Sequence, residues 1–243
     1  MIERLSIAGL APSGDYRGGY YTRIYETEQD KSILIKEVKS IWKPGLIVED
    51  YDADLFCREV GGSLTLFLDP RYGMARFIPP TRLAWGVNLS GRERGFIIMK
   101  KVTGDKIDYA WNIDTEVATA LDELLASAIA MGIDNLNLEM GERKIPDIIN
   151  RPGFTNIIIG NTDVNQRVQP YIIDTYPASL GKDDSRETWD KALKVLGSRS
   201  NGFWYDRTRR ALENFFQTPQ LRKLKITHPK NNPARRLPKY GNQ

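Results

Sequence analysis

The stretch "FTNIIIGNTDVNQRVQPYIIDTY", residues 154–176, decides the fold prediction. Its two apolar runs, Ile157–Ile159 and Tyr171–Ile173, are separated by a polar segment rich in Asn and Asp, which is typical of a β-hairpin. Asn156 comes just before the first run and Asp174 just after the second. If the runs pair antiparallel, an amide oxygen and a carboxylate lie at one end of the hairpin, where they could hold a divalent cation such as Mg²⁺. The alternative is structural: Asn156 begins a strand and Asp174 caps a turn.

Composition restricts the chemistry that the chain could perform. Its 243 residues, 41% hydrophobic and 27% charged, suit a soluble globular protein with one large domain or two lobes. With one Cys and one His, an internal disulfide, a multi-cysteine zinc site and most Ser-His-Asp schemes are excluded. No apolar run approaches the roughly 20 residues that span a bilayer, and the N-terminus does not resemble a secretory signal. We therefore predict a cytoplasmic protein that works through carboxylates, amides, Lys and Arg.

The positive charge is concentrated at the C-terminus. The net charge is +4, and the segment from Arg207 to the end holds ten basic residues and one acid, Glu213. Such a segment could contact nucleic-acid phosphates, with the aromatic residues at 203–205 and 215–216 stacking on bases. Equally, the basic residues could be solvated and the aromatics part of a core. A nucleic-acid-associated binding protein is therefore the alternative function.

The first hundred residues are predicted to be mainly strands. The exception is a short helix predicted over Glu49–Gly62, a segment that begins with acids and ends in two glycines. Its Leu55, Phe56 and Val60 are expected to face inward. Residues 63–69, 81–89 and 94–102 are each predicted to form a strand.

After Gly104 the pattern becomes helical. Residues 114–132 have an Asp cap, early acids, apolar residues at helical spacing and a terminal Gly, which together predict the clearest helix in the chain. Two further helices are predicted over 185–197 and 204–216. Beyond Thr218 the Pro/Asn/Lys/Arg-rich sequence predicts an extended segment.

This order of elements resembles the protein-kinase-like fold, which includes the aminoglycoside phosphotransferases. The resemblance implies an α+β, two-lobed protein that binds ATP with Mg²⁺ between its lobes. Residues 1–101 would form the β-rich nucleotide-binding lobe and residues 102–217 the mainly helical lobe with the metal-binding hairpin. Residues 218–243 would form the basic extended tail.

The resemblance assigns roles to residues of the first lobe. Gly14, Gly18 and Gly19 would form a glycine-rich hairpin that lets backbone N–H groups approach phosphate, although their spacing is not G-x-G-x-x-G. In "ILIKEV", Lys36 matches the strand lysine that contacts the α- and β-phosphates. Glu59 on the predicted helix would be its ion-pair partner, with Glu49 as the second candidate.

The remaining assignments concern the connection between the lobes and the metal. The backbone at Met99, Lys101 and Val102, in "FIIMKKV", would form the hinge that contacts adenine, although a plain strand and turn fits the same residues. Asn156 matches the end of the catalytic loop, and Asp174, in "YIIDTY", matches the Asp of the D-F-G segment, so these two would ligate Mg²⁺.

The sequence departs from the family pattern at the position of the catalytic Asp. Arg151 occupies the position, five residues before Asn156, where the family carries its catalytic Asp. Asp147 could supply the base if its segment folds back, or could be a surface acid, and Arg151 could neutralise a phosphate. The resemblance therefore leaves two functions open: a phosphotransferase with a degenerate catalytic loop, or a pseudokinase that binds nucleotide. The acceptor, protein or small molecule, is not encoded in these motifs.

Overall fold

The computed structural model describes residues 3–6, 10–12, 22–27, 30–43, 46–106, 114–131, 138–139, 153–154, 156–176 and 209–210. Their strands are β1 Glu3–Ser6, β2 Leu10–Pro12, β3 Thr22–Thr27, β4 Ile33–Val38, β5 Ile41–Lys43, β6 Leu46–Val48, β7 Thr81–Val87, β8 Glu93–Lys100, β9 Thr103–Lys106, β10 Leu138–Glu139, β11 Gly153–Phe154, β12 Ile157–Asn161 and β13 Gln169–Ile172. The helices are α1 Ala53–Phe56, α2 Gly62–Leu68 and α3 Thr115–Met131, with a π-helical turn at Cys57–Gly61 and 3₁₀ turns at Pro70–Tyr72 and Ala75–Phe77.

The first hundred residues build a six-stranded sheet in the order β1-β7-β8-β4-β3-β2. All neighbours pair antiparallel except β1, which runs parallel to β7. The central strands β4 and β8 are largely buried, with five consecutive buried residues in β4 and six in β8, among them the charged residues Lys36, Glu37 and Arg94. Burial on both faces explains these continuous runs, and the predicted strands over 81–89 and 94–102 are confirmed with slightly different bounds.

An aromatic cluster covers one face of this sheet. Tyr51, Phe56 and Trp85 lie with ring centroids 5.9–6.4 Å apart. The Phe56 ring lies so close to Gly95 of β8 that any Cβ at residue 95 would overlap it. The Tyr51 hydroxyl donates a hydrogen bond to the Val38 carbonyl and accepts one from the Gly95 N–H at 3.2 Å. This cluster joins the sheet to the helix that follows it.

That helix differs from the prediction. It begins after Asp52, whose side chain accepts from the Leu55 N–H at 2.7 Å, and continues through the π-helical turn into α2. The glycine pair is therefore inside the helix, and the predicted strand over 63–69 is wrong. In "SLTLFL" only Thr65 and Leu68 are exposed, a spacing of one helical turn. The inward positions of Phe56 and Val60 are confirmed, and Leu55 packs partly buried beside them.

A second sheet continues directly from the first. After β8, Lys101 and Val102 lead into β9, which pairs antiparallel with β12, and β12 pairs with β13. Gly104 of β9 faces Gly160 of β12, and a Cβ on either would collide with the partner's backbone. The predicted hairpin is confirmed, with Ile157 opposite Ile172 and Ile158 opposite Tyr171.

The long helix α3 is also confirmed. The Asp114 side chain caps it by accepting from the Val117 N–H at 2.8 Å. Of the other predicted helices, residues 185–197 and most of 204–216 lie outside the described residues, as does the tail after Thr218. Among the helices that are described, none combines the length and the hydropathy of a membrane-crossing segment.

The buried Tyr51 hydroxyl makes the free energy of unfolding decrease at alkaline pH. Burial raises the pKa of Tyr51 from 10.0 to about 12. Between these values the unfolded chain loses the phenolic proton while the folded chain keeps it, so the stabilisation present below pH 10 is lost as the pH rises toward 12. We expect Tyr51→Phe to cost about 1 kcal/mol at neutral pH through its lost hydrogen bonds.

The measurement is urea unfolding of both proteins from pH 8 to pH 12. The stability of the wild type should fall more steeply than that of Tyr51→Phe above pH 10, by roughly 1–3 kcal/mol in total at about 1.4 kcal/mol per pKa unit. Parallel curves for the two proteins would contradict the role assigned to this hydroxyl.

Candidate functional site

The register of the hairpin places Asn156 and Asp174 at the same end. Ile157 is opposite Ile172, and beyond that pair the Ile173 N–H donates to the Asn156 carbonyl at 2.9 Å. Asn156 therefore precedes the first paired residue, and Asp174 follows the last backbone contact by one position. The convergence that the sequence predicted is present in the backbone of the hairpin.

Lys36 meets this end of the hairpin from the six-stranded sheet. It lies in the middle of β4, opposite Ile24 of β3 and Ile97 of β8, and only 6% of its surface is exposed. Its Nζ donates a 2.5 Å hydrogen bond to the Ile173 carbonyl and lies 3.8 Å from Asp174 Oδ1. The strand lysine is therefore directed toward the predicted metal ligand and away from solvent.

The Asp174 carboxylate has one oxygen without a hydrogen-bond partner. Oδ1 is buried, and no donor reaches it within the part of the chain that the structure describes. The 3.8 Å to Lys36 Nζ gives electrostatic attraction but exceeds hydrogen-bond length. A buried anionic oxygen is costly unless it is paired or coordinated, so this atom fits a further cationic or hydrogen-bonding ligand. The same end of the hairpin offers the neutral amide oxygen of Asn156.

Two further contacts fix the segment around Asp174. The Ser63 hydroxyl on α2 donates to the Thr175 carbonyl at 2.5 Å. Tyr176 is buried in the cluster that contains Phe56 and Val60. The carboxylate therefore lies between anchors on the sheet and on the helix. Ser63 and Tyr176 were not predicted from the sequence, where the available signal was an aromatic residue two positions after Asp174.

The predicted ion pair between Lys36 and Glu59 is not formed. Glu59 Oε1 is instead 3.2 Å from Nε of the adjacent Arg58, and Lys36 pairs with Asp174. The Lys36 ammonium group is already held by the Ile173 carbonyl. Glu59 is half-buried in the π-helical turn and is not part of the cluster formed by Lys36 and Asp174.

The hinge residues join the two sheets. Met99 is buried in β8 between Leu34 and Thr81. The Lys101 N–H donates to the Ser32 carbonyl at 2.7 Å, so that donor is already used. Val102 packs in the core of the second sheet. Adenine binding at this segment remains a prediction.

The other predicted residues lie outside the described ranges. These are Gly14, Gly18 and Gly19, and the catalytic candidates Asp147 and Arg151. The strands that flank the three glycines are described: β2 pairs antiparallel with β3, with Pro12 opposite Tyr25. The glycine-bearing segment thus connects two paired strands, as predicted. Neither Lys36 nor Asp174 lines the cavities beside Glu37, Ile98 and Glu123.

No family model and no curated protein sequence matches the chain. Among solved structures, the chain is similar to the Rio2 kinase–ADP/Mg²⁺–phosphoaspartate complex from Chaetomium thermophilum, with a TM-score of 0.41, 13% identity and coverage of 93% of this chain and 72% of that one. It is also similar to the MAP kinase LmaMPK10 from Leishmania major, with a TM-score of 0.41, 12% identity and coverage of 94% and 69%. TM-scores below 0.5 do not carry the kinase class over to this chain.

The contact between Lys36 and Asp174 can be tested by a double-mutant cycle. We expect Lys36→Met to lower the free energy of unfolding by about 1–3 kcal/mol, because the Ile173 carbonyl and the Asp174 carboxylate lose a buried partner. The cost should be smaller when Asp174→Asn is already present, since the carboxylate charge is then absent. Urea denaturation of the four proteins measures the coupling.

Lys100 and Asp163 provide a matched control pair. Their atoms are closer, at 2.6 Å, but Asp163 is exposed. The same substitutions, Lys100→Met and Asp163→Asn, should give a smaller coupling because water screens the pair. A Lys36–Asp174 coupling no larger than that of the control would contradict the buried electrostatic contact.

Proposed function

We propose that this chain is a kinase-like protein that binds ATP with Mg²⁺ at the junction of the six-stranded sheet and the hairpin. The observation that carries the proposal is the buried Asp174 Oδ1, which accepts no hydrogen bond in the described part of the chain and lies 3.8 Å from the buried Lys36 ammonium group. A cation and an anion close together, each with capacity for another partner, suit a ligand that carries both negative phosphates and a bound metal.

Lys36 is the candidate phosphate contact. An ammonium group has three N–H donors, and the Ile173 carbonyl takes one of them. The remaining donors and the positive charge can contact phosphate oxygens, the use to which a strand lysine is put in the fold that the sequence resembles. Because the side chain is buried and held at its tip, little conformational entropy remains to be lost when a ligand binds.

Asp174 and Asn156 are the candidate metal ligands. Magnesium prefers oxygen donors and is commonly bound by one or two carboxylates together with substrate phosphates and water. No group of three or more His, Cys, Asp or Glu side chains that could hold a metal occurs among the described residues. Asp174 and Asn156 would therefore bind the metal jointly with the nucleotide. When bound, Mg²⁺ supplies neutralisation of the phosphate charge.

The proposed activity is nucleotide binding. Phosphate transfer is a second activity that has to be measured separately. Phosphoryl transfer depends mainly on positioning and charge stabilisation, and a general base typically contributes about 10²–10⁴-fold. Arg151 stands where the resemblance would place that base. We expect binding to be the stronger signal, with any transfer slow.

The test is calorimetric titration of ATP with and without Mg²⁺. For Asp174→Asn we expect ATP affinity in the presence of Mg²⁺ to fall by roughly tenfold or more, toward the metal-free value, because the anionic ligand is lost. Asn156→Ala should have a smaller effect, since it removes a neutral ligand. Lys36→Met should weaken binding both with and without the metal.

Asp163→Asn is the matched control. It removes the same charge from the same hairpin, at a residue that pairs with Lys100. We expect its ATP affinity and metal dependence to equal those of the wild type. Unchanged metal dependence in Asp174→Asn would refute the proposed metal ligand. Phosphate transfer is tested with ATP labelled at the γ-phosphate. Label on the chain or on an added acceptor with the wild type, and none with the variants, would establish transfer.

A further inference from the structure

A polar cavity of about 540 Å³ lies at the end of the six-stranded sheet where β4 finishes. Its volume falls within the range of small-molecule sites, about 300–1,000 Å³. Four basic and two acidic side chains are prominent in its lining: Arg23, Lys39, Arg92, Arg94, Glu37 and Glu49. The excess of basic groups favours an anionic ligand.

This cavity is on the sheet face opposite Lys36. Glu37, which lines it, follows Lys36 directly in β4, and successive side chains of a strand point to opposite faces. Arg23 is the cross-strand partner of Glu37, so it shares that face. The cavity is therefore separate from the proposed nucleotide site.

Arg94 has a largely buried side chain and no hydrogen-bonded acid within the described part of the chain. Its side chain is 10% exposed, and the acid that lies nearest, Asp50, is 3.9 Å away and 97% exposed. Its one hydrogen bond within the described part of the chain is from Nη1 to the adjacent Glu93 carbonyl, at 2.9 Å. The Tyr51 ring, 5.5 Å from Arg94 Cζ, holds the guanidinium in place. Arginine has five N–H donors arranged to suit phosphate, so most of them remain for a ligand.

The one buried acid of the cavity, Glu37, makes no ion pair with the arginines of the lining in the described part of the chain. Glu37 Oε1 accepts from Asn88 Nδ2 at 2.8 Å, and Oε2 accepts from the Tyr25 hydroxyl at 2.5 Å. Both carboxylate oxygens are thus satisfied by neutral donors. The Tyr25 hydroxyl and, more weakly, the Glu37 charge raise the pKa of the Arg23 guanidinium, which makes no ion pair with Glu37 in the described part of the chain.

A rigid turn positions the second arginine. The Asn88 side chain accepts from the backbone N–H groups of Ser90 and Arg92, at 2.9 and 3.0 Å. Gly91 has a φ of +76°, a left-handed conformation that glycine adopts without strain. Arg92 is exposed but its backbone is fixed at the rim of the cavity.

We propose that this cavity binds a small phosphorylated molecule, with Arg94 and Arg92 holding its phosphate. The buried Arg94 provides the central hydrogen bonds, and Arg92, Arg23 and Lys39 supply charge around it. Charge-assisted bonds from guanidinium to phosphate are among the stronger hydrogen bonds in proteins. Asn88 and Tyr25 act as positioning residues that hold the Glu37 carboxylate in place.

Titration of the full chain with inorganic pyrophosphate, in metal-free buffer at constant ionic strength, tests the proposal. We expect Arg94→Gln to weaken binding at least about tenfold, because a buried charged partner is removed. Arg92→Gln, which is exposed and should not affect folding, should weaken it about two- to fivefold. Glu49→Gln should tighten binding, since it removes a negative charge from the lining.

Two controls separate this site from others. Arg71→Gln removes one positive charge at an exposed residue paired with Asp69, and it should leave pyrophosphate binding unchanged. The comparison of Arg92→Gln with wild type is repeated in the Lys36→Met background, which lacks the phosphate contact proposed for the nucleotide site, and the same two- to fivefold loss is expected there. No binding at about 1 mM probe, equal binding in the wild type and Arg92→Gln, or equal binding in Lys36→Met with and without Arg92→Gln would each overturn the proposal, whatever the outcome of the ATP titrations.

Discussion

The Lys36 ammonium group joins two parts of the molecule that lie 137 residues apart in the chain, through its hydrogen bond to the Ile173 carbonyl. Removing a lysine from water is costly unless its charge is compensated, and the compensation here comes from the end of the hairpin. The sheet and the hairpin are therefore interdependent: β4 needs Ile173 and Asp174 to satisfy its buried lysine, and the buried Oδ1 of Asp174 gains a nearby positive charge from Lys36. The helix contributes Ser63 to the same junction and completes it.

Sequence patterns predicted the elements whose signals are local. The hairpin follows from two apolar runs and a polar turn, and α3 follows from its Asp114 cap and helical spacing. The strand predicted over 63–69 is wrong because a short alternating apolar run is compatible with either period. There the helical interpretation prevails since α1 and the π-helical turn continue directly into that segment.

The same distinction between local and long-range signals applies to the residues of the candidate site. Asn156 and Asp174 could be paired from the sequence because one hairpin brings them together. The partner of Lys36 could not be predicted from the sequence, because the choice between Glu59 and Asp174 depends on how the helix and the hairpin pack on the sheet. The cavity around Arg94 has no sequence signature, because its lining comes from β3, β4, β8 and the loops near them. Periodicity and helix caps predict individual elements, and they do not predict the contacts between segments that are distant in the chain.

The facing glycines of β9 and β12 restrict how this chain can change over evolution. Gly104 and Gly160 bring two backbones so close that neither position has space for a methyl group. Any substitution that adds a side chain at either position must move the strands apart, and the core around Val102, Ile158 and Tyr171 would open with them. Descendants that keep this pairing register should therefore retain both glycines, even though neither touches a ligand. In a search for distant relatives, this pair would mark shared architecture independently of shared chemistry.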